Sequence, residues 1–225
     1  MKTDEQIKQD VIEEIRWDPQ LTDIAPHIGV SVDDGVVTLS GMVDFYAQKL
    51  ATEKAAQRVS GVKVVAVDIE LKGQSEKVTD AELGEAIRNA LTWHSAINED
   101  RLEIMVDNGW VSLSGTVKWD YERKAAQKAI EKIIGIKGII NRVKVENEIV
   151  EPKYIKKKIS NAFHRHATVD VENITVEVNG STVTLKGKVS SWSEREDAED
   201  VAWAMPGVTE VLNNLVIDTS IYAEH

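Results

Sequence analysis

Apolar residues recur along this chain in two rhythms, four-residue and alternating, and the succession of rhythms itself repeats. Ile7, Val11 and Ile15 fall four apart, the signature of one buried helix face. Ile28, Val30 and Val32 then alternate with small or polar residues. "DDG" at 33–35 follows, and Val37 and Leu39 resume the alternation, so the stretch reads as a β-hairpin. Thr52, Ala55, Ala56 and Val59 return to the helical period, with side chains small enough to let a helix lie close on a sheet. Val65, Val67, Ile69 and Leu71 close the run as a strand.

The same succession is written twice more. Leu83, Ile87 and Leu91, then Ile155, Ile159 and Phe163, match the first helix. "DNG" at 107–109 and "NGS" at 179–181 match the turn, each offering residues that tolerate positive φ. Ala126, Ala129, Ile130 and Ile133, then Ala198, Val201, Ala202 and Met205, match the second helix. The hairpin strand itself reads "GVVTLSG", "GWVSLSG" and "STVTLKG", ending at Gly41, Gly115 and Gly187. Gly61, Gly135 and Gly207 follow the second helices at the same spacings, where a helix C′ position would use the left-handed backbone that glycine tolerates. A side chain at Gly115 is expected to meet the Ala126 and Ala129 stripe.

The predicted fold class is α/β in the α+β sense: three tandem αββαβ domains, each a three-stranded mixed sheet covered on one face by two helices. Their bounds are 1–73, 74–148 and 149–218, with 219–225 as a tail. "KGQSEKVTD" links the first two, with Thr79 or Asp80 as N-cap, and "NEIVEP" links the next two, with Pro152 opening the helix. The pattern leaves open whether each last strand pairs with the first or the second.

These motifs resemble the BON family, named for bacterial osmotic-shock and nodulation proteins. The resemblance rests on the VxLxG strands at 37–41, 111–115 and 183–187, the "GV" after the second helix, and the closing "VLNNLVI" strand. It implies a non-enzymatic role tied to osmotic or envelope stress and binding of anionic phospholipid. A relative carrying a peptidoglycan-type module binds potassium, which makes a potassium-sensing role the alternative, with a protein-interaction scaffold as a third.

Composition narrows the chemistry. There is no Cys, so disulfides and thiolate metal sites are excluded. The start is charged and carries no apolar run, so a cytoplasmic location is expected, or a periplasmic one if a native signal is missing; no stretch is apolar enough to span a bilayer. The net charge of −11 argues against nucleic acid as a partner. No nucleophile–base–orienter set appears, so no catalytic residue and no metal ligand are expected. His164 and His166 sit two apart near a helix end, poor for chelation and suited to a helix C-terminus. The Asp33, Asp34 and Asp107 turns lack calcium-ligand spacing.

Net charge is −5 over 1–73, −2 over 74–150 and −4 over 151–225. Against that background, Lys153, Lys156, Lys157, Lys158 and Arg165 cluster on one expected helix from Pro152 to His166. They are the candidate contacts to an anionic membrane surface met peripherally. Of the six Trp, Trp17 and Trp93 are expected to cap their domain cores. Trp110, Trp119 and Trp192 are the candidates for an interface with another domain, a membrane or a protein partner.

Overall fold

The computed structural model describes residues 2–72, 78–95, 97–146, 150–165 and 173–218. Repeat 1 is built from α1 (Asp4–Trp17), β1 (Ile28–Asp33), β2 (Val36–Val43), α2 (Tyr46–Gln57) and β3 (Val64–Leu71). Repeat 2 follows with α3 (Asp80–Thr92), β4 (Leu102–Asp107), β5 (Trp110–Val117) and α4 (Asp120–Ile130). Its last strand is broken into β6 (Gly138–Asn141) and β7 (Lys144–Val145). Repeat 3 has α5 (Pro152–Phe163), β8 (Ile174–Asn179), β9 (Thr182–Val189), α6 (Trp192–Trp203) and β10 (Glu210–Ile217). The pairing left open by sequence is resolved the same way each time. The second hairpin strand is central, with the first on one side and the last on the other. In repeats 2 and 3 the hairpin is antiparallel and the last strand joins it in parallel. A parallel neighbour needs a crossover, and the second helix supplies it.

Local chemistry starts and turns these elements. Thr3 and Thr79 cap α1 and α3 with reciprocal bonds to Gln6 and Glu82. Asp4 then accepts from the backbone N–H groups of Asp34 and Gly35, at 2.9 and 3.0 Å, tying helix start to hairpin turn. Asp80 does the same for Asn108 and Gly109 at 2.7 and 2.9 Å. Both turns hold two consecutive residues at positive φ (Asp34 and Gly35; Asn108 and Gly109), as a type I′ turn requires. Repeat 3 has Pro152 in place of the clasping Asp, and only Gly180 is at positive φ, which fits a type II′ turn.

Each repeat has its own core, made of the residues the periodicity marks. Ile7, Val11 and Ile15 of α1 are at most 4% exposed, and their counterparts in α3 and α5 at most 1%. The inward residues of the central strand are buried as well: Val37 and Leu39, Val111 and Leu113, Val183 and Leu185. Burying each such side chain contributes about 1.5–3 kcal/mol.

The glycines depart from two expectations. Gly41, Gly115 and Gly187 take φ of 136°, 120° and 128°. A Cβ at Gly115 would stand 2.1 Å from the Arg101 carbonyl oxygen, and one at Gly187 2.0 Å from that of Asn173. The close neighbour is therefore the backbone leading into the first strand, not the Ala126 and Ala129 stripe, because at these positive φ values an added Cβ would be aimed at the adjoining chain. Gly61, Gly135 and Gly207 do adopt positive φ, at 101°, 100° and 85°. They lie four or five residues beyond the last helical residue, in the turn that leads to the last strand and not at C′.

Two compact units divide the chain. One holds residues 41–51 together with 69–146, so the start of α2 belongs with repeat 2. Within that unit Tyr46, partly buried, packs against the cluster formed by Leu83, Ile87, Leu113 and Ile130 with their neighbours. The other unit holds the remaining described residues.

Candidate functional site

Helix α5 is the most unusual surface of repeat 3. Pro152 occupies its first turn, where a missing N–H costs nothing. Ile155, Ile159, Ala162 and Phe163 are buried at 0–4% exposure, which fixes the helix against its sheet. That packing leaves Lys153, Lys156, Lys157 and Lys158 exposed over the rest of the cylinder. Lys158 Nζ lies 5.0 Å from the ring of Tyr154, itself 52% exposed, so an aromatic joins the basic face. No carboxylate among the described residues pairs with any of the four lysines. The corresponding helices differ in sign: α1 carries five carboxylates and two cations, α3 three and one.

Arg165 falls outside the helix, which ends at Phe163 and is capped by His164. Its guanidinium donates to the Asn161 carbonyl at 3.0 Å, serving the helix C-terminus. The expected helix to His166 is shorter, and His166 lies outside the described residues, as do 73–77 of the first linker, 147–149 of the second and the tail 219–225.

The tryptophans divide unexpectedly. Trp17 and Trp93 do not cover their domain cores: they are 80% and 88% exposed. Each stands two residues beyond a buried position, Ile15 or Leu91, and two residues turn a helix by about 200°, to the opposite face. Trp110 is 53% exposed on the sheet face away from the helices, and its ring lies across Gly138, where a Cβ would come within 2.4 Å. Trp119 is partly buried, with Lys118 Nζ 5.9 Å from its ring, and Trp192 is partly buried beside Arg195 at 5.4 Å.

A further set escaped the sequence reading. Arg195 of α6 donates to the carbonyls of Asn213 and Leu215, at 3.0 and 3.3 Å. Asn213 replies by donating to the Arg195 carbonyl and to Glu199, at 3.2 and 2.8 Å, and accepts from Leu215 N–H at 3.3 Å. Asn141 makes the equivalent bonds to Arg123 and Val143 in repeat 2. In repeat 1, Lys49 donates to the Ile69 carbonyl at 2.8 Å. The signal was an Asn on the inward side of an alternating strand. These carbonyls are occupied by the chain's own cations. Among the described residues no group of three or more His, Asp or Glu could hold a metal ion.

Three units of one architecture, each with a VxLxG central strand and a clamped last strand, invite comparison with known domains. The BON domain model matches residues 3–73, 79–147 and 153–219. The chain belongs to the BON-domain family. As a BON-domain chain it is similar to osmotically-inducible protein Y of Escherichia coli (strain K12), with 23% identity over 199 residues, covering 84% of this chain and 92% of that protein. Two solved structures of CdsD, a structural protein of the type III secretion system of Chlamydia trachomatis, align over 93% of the chain at 13% identity. They cover 96% and 91% of those chains, with a TM-score of 0.27 in both cases.

Proposed function

We propose that this BON-domain chain is a non-enzymatic, osmotic-stress-associated protein that docks peripherally on anionic phospholipid through α5. The similarity to osmotically-inducible protein Y supports the stress association. The observation that carries the lipid reading is the α5 surface: four exposed lysines and a half-exposed tyrosine, with no carboxylate answering the lysines among the described residues. No described helix is long and apolar enough to cross a membrane, and peripheral docking needs none.

Each Lys at an anionic surface contributes about 1 kcal/mol, so four contribute roughly 4 kcal/mol at best. The rest of the chain is acidic and opposes approach. At physiological salt the field decays over about 8 Å, so lysines in contact outweigh distant carboxylates. Binding is therefore expected to be weak, reversible and lost at high salt. Replacing Lys156, Lys157 and Lys158 together by Glu should abolish co-sedimentation with phosphatidylglycerol vesicles while circular dichroism stays unchanged. Equal binding of parent and variant, or a parent that ignores anionic vesicles, would overturn the lipid reading; a potassium-dependent rise in melting temperature would then favour an ion sensor.

A further inference from the structure

We propose that the sheet edge of repeat 2 takes an extended peptide of a partner protein as an added strand, seated between β4 and α3. Among the described residues β4 pairs only with β5 and forms the edge of its sheet. Asp107 and Trp110 flank the two-residue turn and face each other in register. In such a hairpin the flanking pair is the hydrogen-bonded one, and the bonding alternates from there. The backbone groups of Met105 and Glu103 thus turn toward β5, while those of Ile104 and Val106 turn outward. An edge with unused donors and acceptors is a template for another strand.

Beside this edge lies a groove of about 580 Å³, within the size range of ligand sites. Its floor is apolar, Ile104 and Val106, and its helical wall is made of Ala81 and Gly84. Gly84 stands where α1 has Lys8 and α5 has Lys156, so this wall lacks the long side chain present in the other two repeats. Nothing in the packing demands the glycine: a Cβ there would find only Val106 Cγ2, at 4.0 Å. The rim carries Glu85 and Arg88, three residues apart on α3, both exposed and neither paired with an opposite charge among the described residues.

Together these features define the occupant. Its backbone bonds to Ile104 and Val106, so it is extended. Alternate side chains fall onto the Ile104 and Val106 floor, so they are small and present methyl groups, such as Val, Ala or Thr. A basic and an acidic residue complement Glu85 and Arg88. This is strand addition, in which the main chain supplies affinity and alternate side chains supply selectivity.

The test uses the intact chain and a panel of end-capped peptides of about nine residues. Half the panel alternates Val, Ala or Thr with Lys and Glu, and half scrambles the same composition. Fluorescence anisotropy should show binding of alternating peptides over scrambled ones. Gly84→Lys should weaken it at least about tenfold, whereas Gly84→Ala should keep it. Amide exchange in the parent should slow at Ile104 and Val106 when peptide is added, and stay unchanged at the edges β1 and β8. The proposal is overturned if scrambled peptides bind as well, if Gly84→Lys binds undiminished, or if Ile104 and Val106 gain no protection. The exchange measurement decides the matter even if Gly84→Lys fails to fold.

Discussion

Two glycines of repeat 2 show how unequal the demands on one residue type are. Gly115 combines φ of 120° with a carbonyl oxygen 2.1 Å from where its Cβ would be, so both the backbone conformation and the space require glycine. Gly115→Ala should cost about 2–4 kcal/mol, seen as a clear loss in melting temperature. Gly84 is in a helix interior with open space beyond, and Gly84→Ala should stabilise by about 0.5–1 kcal/mol. The pair measured side by side separates strain from propensity. Glu82 provides a pH handle at the same scale. The Thr79 backbone N–H, and then its hydroxyl, hold the Glu82 carboxyl below the ordinary glutamate range. Because the folded value is the lower one, the cap's contribution is fully present above the ordinary glutamate pKa and fades as pH falls through the depressed one. The melting-temperature gap between the parent and Glu82→Ala should therefore be open at neutral pH and close on acidification.

At the scale of elements, the clamp between second helix and last strand matters most. The Asn213 side chain satisfies the Leu215 N–H and the Arg195 carbonyl, so it joins β10 to α6. Asn213→Ala would leave those groups to find other partners at partial burial. The expected cost is about 1–3 kcal/mol, with amide exchange of β10 accelerating ahead of that in β8 and β9. Exchange that rises equally in all three strands would show that the clamp holds nothing in particular. Repeat 1 manages with Val67 at this position and Lys49 reaching the Ile69 carbonyl. One architecture thus tolerates different polar solutions to the same joint.

For the molecule as a whole, small domains bury little: at about 60 residues, roughly 60% of the unfolded surface. Support from outside a repeat is correspondingly valuable, and Tyr46 provides it by packing on the core of repeat 2 from the start of α2. Tyr46→Ala should lower stability by about 1–2 kcal/mol, given its partial burial. The loss should be read out in repeat 2, as faster exchange at Leu113 and Ile130, and not only in repeat 1. Unchanged exchange there would mean that repeat 2 stands without it.

The sequence by itself determined the repeat, the order of its elements and the core. Those follow from periodicity: a residue four along a helix or two along a strand returns to the same face whatever lies opposite. It also marked the α5 lysines, since their number on a short segment is visible without coordinates. What only the tertiary structure decided depends on the identity of the opposing partner. Strand order was one such matter, because a last strand of the same pattern fits either edge. The tryptophans were another: Trp17 and Trp93 read as core by type, yet their angular place past Ile15 and Leu91 turns them to solvent. The neighbour that makes Gly115 necessary, the end of α5 before Arg165, and the bonds of Asn213 all arise between residues far apart in the chain or at a helix terminus. There, a local pattern holds no information about what will stand across the gap.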